Sequence, residues 1–475
     1  MTDRIRTTAD GGQAWRRDVA PIDYLLYRGE TDPRSRSSMM SVEILDRVPD
    51  WDRLRDDLDR ASRLVPRLRQ RVVEPVLPVA PAQWVVDPEF DLGYHVRRIR
   101  SPEPGTLRQV LDLAQTALAG PLDMSRPLWE ATLVEGVSAE GGCAALLWKL
   151  SHSITDGVGG IELDRHIRSY ERDPDRGPMP PVPVPQDVGS AEIIRTAALR
   201  LPSDVVTGAG RCAGGALGVI GRTVRNPVRA ITGVGRFAGS LQRLIGPPPV
   251  EPSPLLRGRS LTRRFEMVDV SLDCLRRAAK DHGCSVNDAY IAALCGVLRL
   301  YHEGLGSPVD AVPLVMPVNL RAGDDPAGGN QWAVVRIAAP VGDSDPVRRM
   351  RVIREHVITG RAEPAINALD AMAPVIARLP MQLVMALGSD NVTTDVQASN
   401  IPGHVQDTYI GGAKVLRNLP FGPLPGAAMM IVMLSHAGRC YVGIHYDTAS
   451  VTESELFARC LREGFDEVLS AARGG

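Results

Sequence analysis

The residues best placed to do chemistry lie in Leu150-Ser-His152-Ser-Ile-Thr-Asp156-Gly157. A histidine four residues before Asp-Gly, where an apolar strand runs out, can present a neutral imidazole to a substrate hydroxyl. Asp156 can turn the loop behind it and anchor it with a charged hydrogen bond. A histidine in such a place serves equally well as a satisfied structural residue, and spacing alone leaves both readings open. Other constellations are weaker. His445 and Asp447 form an H-x-D pair within a strand-like run, which reads as a buried structural pair before a metal site. No G-x-x-x-x-G-K-[ST] loop and no G-x-S-x-G elbow occurs. The stretch from Gly208 to Ala213 fits G-x-G-x-x-A, but no acidic residue follows at ribose-binding distance, so it is chance in a glycine-rich segment.

The elements that must hold His152 can be read from periodicity. Asp50 is placed to cap a helix carrying Trp51, Leu54, Leu58 and Ala61 on one face. Thr106 opens a second, with Leu107, Val110, Leu111, Ala114 and Leu118, closed by Gly120. ATLVEGV and CAALLWKLSH then read as two strands joined by a Ser-Ala-Glu-Gly-Gly turn, the second delivering His152. A helix with Leu163, Ile167 and Tyr170 on one face follows the motif. Proline-rich stretches at 172–188 and 246–254 exclude helix and central strand. Between them, 190–245 is rich in Gly, Ala and Arg, with arginines 211, 222, 225, 229, 236 and 243 spaced near whole helical turns. It reads either as an amphipathic membrane-surface element or as a solvated helical face. Beyond 255, Ser285-Val-Asn-Asp288 matches a capping box opening a long apolar helix. AVPLVMPVNL and WAVVRIAAP are strand-like, and MMIVMLSHAG with CYVGIHYD forms a hairpin around Ala-Gly-Arg. The expected organisation is α/β: a lobe over 1–171, a linker region over 172–254, and a similar lobe over 255–475, with a cleft between the lobes.

Composition sets the context. At 475 residues the chain exceeds one ordinary core, and 55 basic against 56 acidic residues argue against a nucleic-acid partner. Seven cysteines without a CxxC pair suggest neither a disulfide framework nor a cysteine metal site, and a reducing cytoplasm is the expected home. The N-terminus lacks a signal-type apolar core, and no stretch approaches a membrane span.

Further blocks make the sequence recognisable. Pro21-Ile-Asp23, PRLRQR (66–71), Trp84, FDLGYHV (90–96), PLDMSRPLWE (121–130), VND (286–288), PVNLR (317–321), GNQ (329–331) and ASNIPG (398–403) occur in order with the histidine motif. Together they resemble the bacterial wax ester synthase/acyl-CoA:diacylglycerol acyltransferase family, whose signature is HHxxxDG. The resemblance spans nearly the whole chain. One position departs from it: Ser151 stands where the signature has its first histidine.

The resemblance implies two chloramphenicol-acetyltransferase-like lobes, each a mixed sheet with packed helices, and an active site in the cleft or tunnel between them. It implies direct acyl transfer without a cofactor, acyl-CoA being co-substrate and diacylglycerol or a fatty alcohol the acceptor. The second motif histidine aligns with His152, the expected general base, and the family's Asp and Gly fall on Asp156 and Gly157. Asn287, at a helix N-terminus, is the candidate donor to the oxyanion, or equally a residue that supports the helix cap. Asp288 serves the cap or the site; Arg126 pairs with a buried carboxylate or touches CoA phosphates. Ser151 and Asn400 complete the expected substrate contacts, and Arg321 is a candidate anchor for Asp156. Trp129 and Trp148 read as core. The expected location is the cytoplasmic membrane face or lipid inclusions. Two alternatives remain: a degenerate paralogue that binds acyl lipids or scaffolds lipid droplets, suggested by Ser151, and an enzyme taking its acyl group from a carrier protein.

Overall fold

The computed structural model describes residues 17–76, 80–155, 157–186, 188–196, 248–319, 332–363 and 394–473, with isolated positions between 373 and 383. Asp156, Arg321, the GNQ block and the arginines at 211–243 lie outside the described residues.

Local signals place the first elements. Helix α1 (Pro21–Gly29) leads into strand β1 (Ser38–Leu45). Helix α2 (Trp51–Leu64) starts as its cap predicts: the Asp50 carboxylate accepts from the Arg53 amide at 2.9 Å, and Leu54, Leu58 and Ala61 are buried. A small ribbon of β2 (Gln70–Val73) and β3 (Gln83–Val86) follows, then the one-turn α3 (Leu92–His95) and β4 (Val96–Arg100). Thr106 and Gln109 form a reciprocal capping box on α4 (Leu107–Ala119). Strands β5 (Trp129–Ala139) and β6 (Gly142–Ser151) make the expected hairpin. Its two turn residues, Glu140 and Gly141, both adopt positive φ (56° and 77°), the twist that a two-residue connection between right-twisted strands requires. Helix α5 (Gly157–Ile167) carries the motif onward.

The second half repeats the plan. It comprises β7 (Arg263–Ser271), α6 (Leu272–Lys280), α7 (Val286–Gly304), β8 (Val312–Asn319), β9 (Trp332–Ala339), α8 (Pro346–Arg361) and β10 (Val396–Ile401). After these come β11 (Tyr409–Ile410), β12 (Ala413–Phe421), the hairpin β13 (Met429–His436) and β14 (Arg439–Asp447), and α9 (Ser454–Ser470). Among the described residues the first sheet has the order β11-β12-β1-β6-β5-β4 and the second β7-β14-β13-β10-β8-β9, each with six strands of mixed direction. Helix α7 is buried from Asp288 to Leu298 and forms the heart of the second core with α9.

The lobes are therefore not contiguous halves of the chain, as the boundary at 254/255 implied. β11 and β12 come from the second half yet complete the first sheet, where β12 runs antiparallel to β1 with Val42 opposite Leu419. Local periodicity identifies a strand but not its sheet. A shared core forms where the lobes cross: Phe265 of β7 stacks on Phe421 of β12 with ring centroids 3.9 Å apart, over Val42, Ile44, Leu111 and Leu147. The proline-rich stretch at 172–186 has neither helix nor strand and is tied to α2, with Arg60 donating to the Gly177 carbonyl and Arg63 to that of Pro180.

Candidate active site

The site is built outward from β6. Its apolar residues fill both faces of the first sheet, and its last residue, Ser151, lies opposite Ser38 of β1. His152 follows in a turn, with its backbone N–H donating to the Ser37 carbonyl at 3.2 Å. The His152 ring is half-buried, with Nδ1 turned away from solvent. Thr155 is buried, and Gly157 begins α5.

Beneath the motif lies an aromatic ladder. Phe90, His95, Trp129 and Trp148 stack successively, with centroid separations of 5.2, 4.5 and 5.2 Å. Trp129 Nε1 donates to the Leu68 carbonyl at 2.8 Å. Trp129 and Trp148 are thus core, as their residue types suggested, and the ladder joins the FDLGYHV and PLDMSRPLWE blocks to β6. Three residues before His152 on β6, the buried Lys149 ammonium donates to the Ala117 and Gly120 carbonyls at 2.9 and 2.7 Å, closing the end of α4. Burial pushes its pKa down.

Behind α5 is a buried ionic chain that the sequence did not reveal. Arg168 Nε donates to Asp164 at 2.6 Å, and its guanidinium also pairs with Glu43 of β1. The other Asp164 oxygen accepts from His404 Nε2 at 2.8 Å, and Tyr170 O–H lies 3.0 Å from His404 Nδ1. With Nε2 protonated, Nδ1 is the acceptor for that hydroxyl. Burial pushes the Asp164 carboxyl up, but Arg168 and His404 outweigh it and hold it below the usual range. For Glu43 burial prevails over Arg168, and its pKa is raised. His404 follows the ASNIPG block directly, so this chain ties the helix after the motif to the strand end of the other lobe. The Asp164–Arg168 spacing of four was the one local signal of it.

The remaining expected site residues are placed as follows. Ser151 is fully buried and faces inward, where its hydroxyl meets Glu30 Oε1 at 2.7 Å and Ser153 Oγ at 2.9 Å. A substrate contact was expected there; burial within the sheet end gives this hydroxyl protein partners instead. Arg126 donates to the Glu89 carbonyl at 2.6 Å, lies 4.0 Å from the buried Asp87 carboxylate and packs over the Tyr94 ring. Of its two readings, the structure shows the pairing. Asp288 completes the capping box with Ser285 (2.8 and 3.2 Å) and lies 3.5 Å from Arg354. Asn287 is half-buried in the first turn of α7, its amide 4.0 Å from Met316 Sδ. Asn400 is exposed on β10, opposite Met433 of β13. Both stand on the second lobe.

His445 and Asp447 have structural partners. His445 Nδ1 donates to the Gly422 carbonyl at 2.8 Å, and burial pushes the ring down to about 4. Asp447 accepts from the Ser260 and Ala449 amides and pairs with Arg263. Among the described residues, no group of three or more His, Cys, Asp or Glu is arranged to hold a metal, and no helix is long and apolar enough to cross a membrane. Cavities of about 420 and 450 Å³ flank α2, the first lined by Arg53, Asp57, Arg60, Asp173 and Arg176; no motif residue lines either.

Two family models match the chain: the wax ester synthase/diacylglycerol acyltransferase catalytic domain over residues 18–290, and the WS/DGAT C-terminal domain over 328–468. A Mycobacterium tuberculosis H37Rv protein named "Putative diacyglycerol O-acyltransferase" is 50% identical over 457 residues, covering 96% of this chain and 92% of its own length. A second protein of that organism with the same name is 29% identical, covering 91% and 93%. Among solved structures, the wax ester synthase/diacylglycerol acyltransferase from Marinobacter aquaeolei VT8 superposes with a TM-score of 0.63 at 20% identity, covering 96% of this chain and all of that one. The first condensation domain of the CDA synthetase superposes at 0.59 with 15% identity, covering 96% and 97%. These last two are likenesses of fold, and they match the pair of mixed six-stranded sheets seen here.

Proposed function

The chain belongs to the wax ester synthase/diacylglycerol acyltransferase family, and on that premise we propose that His152 is the general base with which it moves a fatty acyl group from acyl-CoA to diacylglycerol or a long-chain alcohol. The imidazole takes the hydroxyl proton as the alcohol oxygen attacks the thioester carbonyl. The tetrahedral intermediate then collapses, its C–S bond breaks, and the proton on His152 passes to the departing CoA sulfur. Asn287, at the N-terminus of α7, is the candidate donor to the oxyanion, where the helix end also favours negative charge. No cofactor beyond acyl-CoA enters this scheme. The observation that carries the reading is the half-buried His152 at the end of a buried strand, fixed through its own backbone N–H. Such a base is held by a rigid element without being sealed in the core.

The experiment is release of CoA thiol from a panel of acyl-CoAs and alcohols, with lipid products identified. General-base assistance is worth roughly 10²–10⁴ in rate, so His152→Ala should lose most of the turnover. A wild-type rate no higher than that of His152→Ala would instead favour the lipid-binding paralogue suggested by Ser151. Acyl-carrier donors belong in the same panel, because the fold is shared with condensation domains. We further place the protein at the cytoplasmic membrane face or on lipid inclusions, on the strength of the arginine-rich segment and the lipid nature of the substrates.

A further inference from the structure

We propose that Glu30 is a positioning residue for His152, acting through the serines on either side of the motif's strand end. The proposal rests on His152 being the base and names what holds it. Glu30 sits at the C-terminus of α1 with its carboxylate turned inward, and the residue is 2% exposed. Three hydroxyls converge on it. Ser37 Oγ and Ser151 Oγ donate to Oε1 at 2.8 and 2.7 Å, and Ser38 Oγ donates to Oε2 at 2.8 Å.

The arrangement is specific to this end of the sheet. Ser38 and Ser151 are directly opposite in the β1–β6 register, the pair next to His152, so one carboxylate bridges the two strands where the ladder ends. Ser37 bonds Glu30 through its side chain and accepts the His152 N–H through its carbonyl. On the other side of the histidine, Ser153 reaches the same group at one remove. Because the single Ser151 proton is given to Glu30, Ser153 O–H is the donor in the 2.9 Å contact with Ser151 Oγ, and the Ser153 amide also donates there at 3.3 Å. Residues 151 and 153 thus bracket His152, the first bonded to the buried carboxylate and the second to the first. The Lys149 ammonium on the same strand is close enough to feel its charge. A buried carboxylate is tolerated only when its lone pairs are met, so these donors cannot leave cheaply and the strand end is fixed. The replacement of the first signature histidine by serine acquires a physical role: Ser151 supplies the short hydroxyl through which Glu30 grips the motif.

The test uses the full chain with Glu30→Gln, which keeps the shape but removes the charge and one acceptor, together with Ser151→Ala and the double variant. Turnover and hydrogen exchange of peptides spanning 149–155 are read in parallel. Misplacing a reacting group by an ångström costs on the order of 10²-fold, so Glu30→Gln should lower kcat by roughly 10–100-fold. KM for acyl-CoA should change less than twofold, because binding is not what Glu30 organises. The double variant should be no slower than the worse single one, the signature of two groups in one linkage. The 149–155 peptides should exchange faster while those of β14 keep their protection. Unchanged kcat and exchange in Glu30→Gln would overturn the proposal, as would kcat losses that multiply in the double variant. If Glu30→Gln fails to fold, Ser151→Ala carries the same two readouts. An inactive wild-type chain would reject the proposed function and with it a catalytic role for this linkage, while looser motif peptides in Glu30→Gln would still show that Glu30 anchors the strand end.

Discussion

Gly403→Ala tests how the second lobe supports the motif helix. Gly403 closes the ASNIPG block immediately after β10, and a Cβ built there would stand 2.1 Å from the Ser435 carbonyl oxygen at the end of β13. Ordinary contact begins near 3.4 Å, so the two strand ends must part by roughly 1.3 Å, the kind of overpacking that costs about 1–3 kcal/mol. The 3.2 Å bond from the Gly403 amide to Ser435 Oγ would be lost with that movement, adding about 1 kcal/mol. His404 is the next residue, and its 2.8 Å bond to Asp164 has little slack. An ångström of displacement takes it beyond hydrogen-bonding reach and leaves the Asp164 carboxylate with Arg168 alone. The total, about 2–4 kcal/mol, is less than the usual 5–15 kcal/mol stability of a domain, so the variant should fold. Its urea midpoint should fall clearly. Because Asp164 lies on α5, which begins at the motif's Gly157, acyl transfer should drop by more than the loss of folded protein explains. Equal urea midpoints and equal rates for variant and wild type would rule out this coupling between the lobes, since a 2.1 Å approach cannot be relieved without movement.

Two other outcomes follow from charge. His445 is held neutral, with its pKa pushed down to about 4 by burial; the unfolded chain, whose histidine titrates near 6.5, therefore binds more protons between these values. Stability present above pH 6.5 is lost as pH falls towards 4, on the order of 3 kcal/mol for this group. His445→Asn should flatten the fall of the urea midpoint between pH 6.5 and 4.5, and an unaltered slope would count against it. Neutralising Arg222, Arg225 and Arg229 should abolish salt-sensitive co-sedimentation with anionic liposomes, attraction that is screened within about 10 Å at 0.1 M salt; unchanged co-sedimentation removes the membrane-surface reading of that segment.

What could be read from the sequence was local. The caps at Asp50, Thr106 and Ser285 each involve residues within four positions, and the turns at Glu140-Gly141 and Ala437-Gly438 announce themselves through glycine. His152 could be placed because a strand and its exit are contiguous. Glu30 escaped because its partner Ser151 lies 121 residues away, and His404 because Asp164 lies 240 away. Isolated Glu and His residues read as solvated ones; only burial, a property of the assembled sheets, makes them partners. The same cause explains the β12 error and the fate of Ser151. A period-two pattern names an element and its two faces, but which neighbour covers each face depends on the whole topology.

The late strand β12 also has a bearing on biosynthesis. Residues 40–45 of β1 obtain one of their two hydrogen-bonding neighbours from residues 415–421. On a ribosome adding ~5–20 residues per second, that neighbour emerges tens of seconds after β1. Throughout that interval the first sheet presents a bare strand rim rich in Met, Val and Ile, the kind of surface that recruits stray chains. The rim of β1 is covered only once residues 415–421 have emerged, and shortening the chain before residue 421 would leave it open for good.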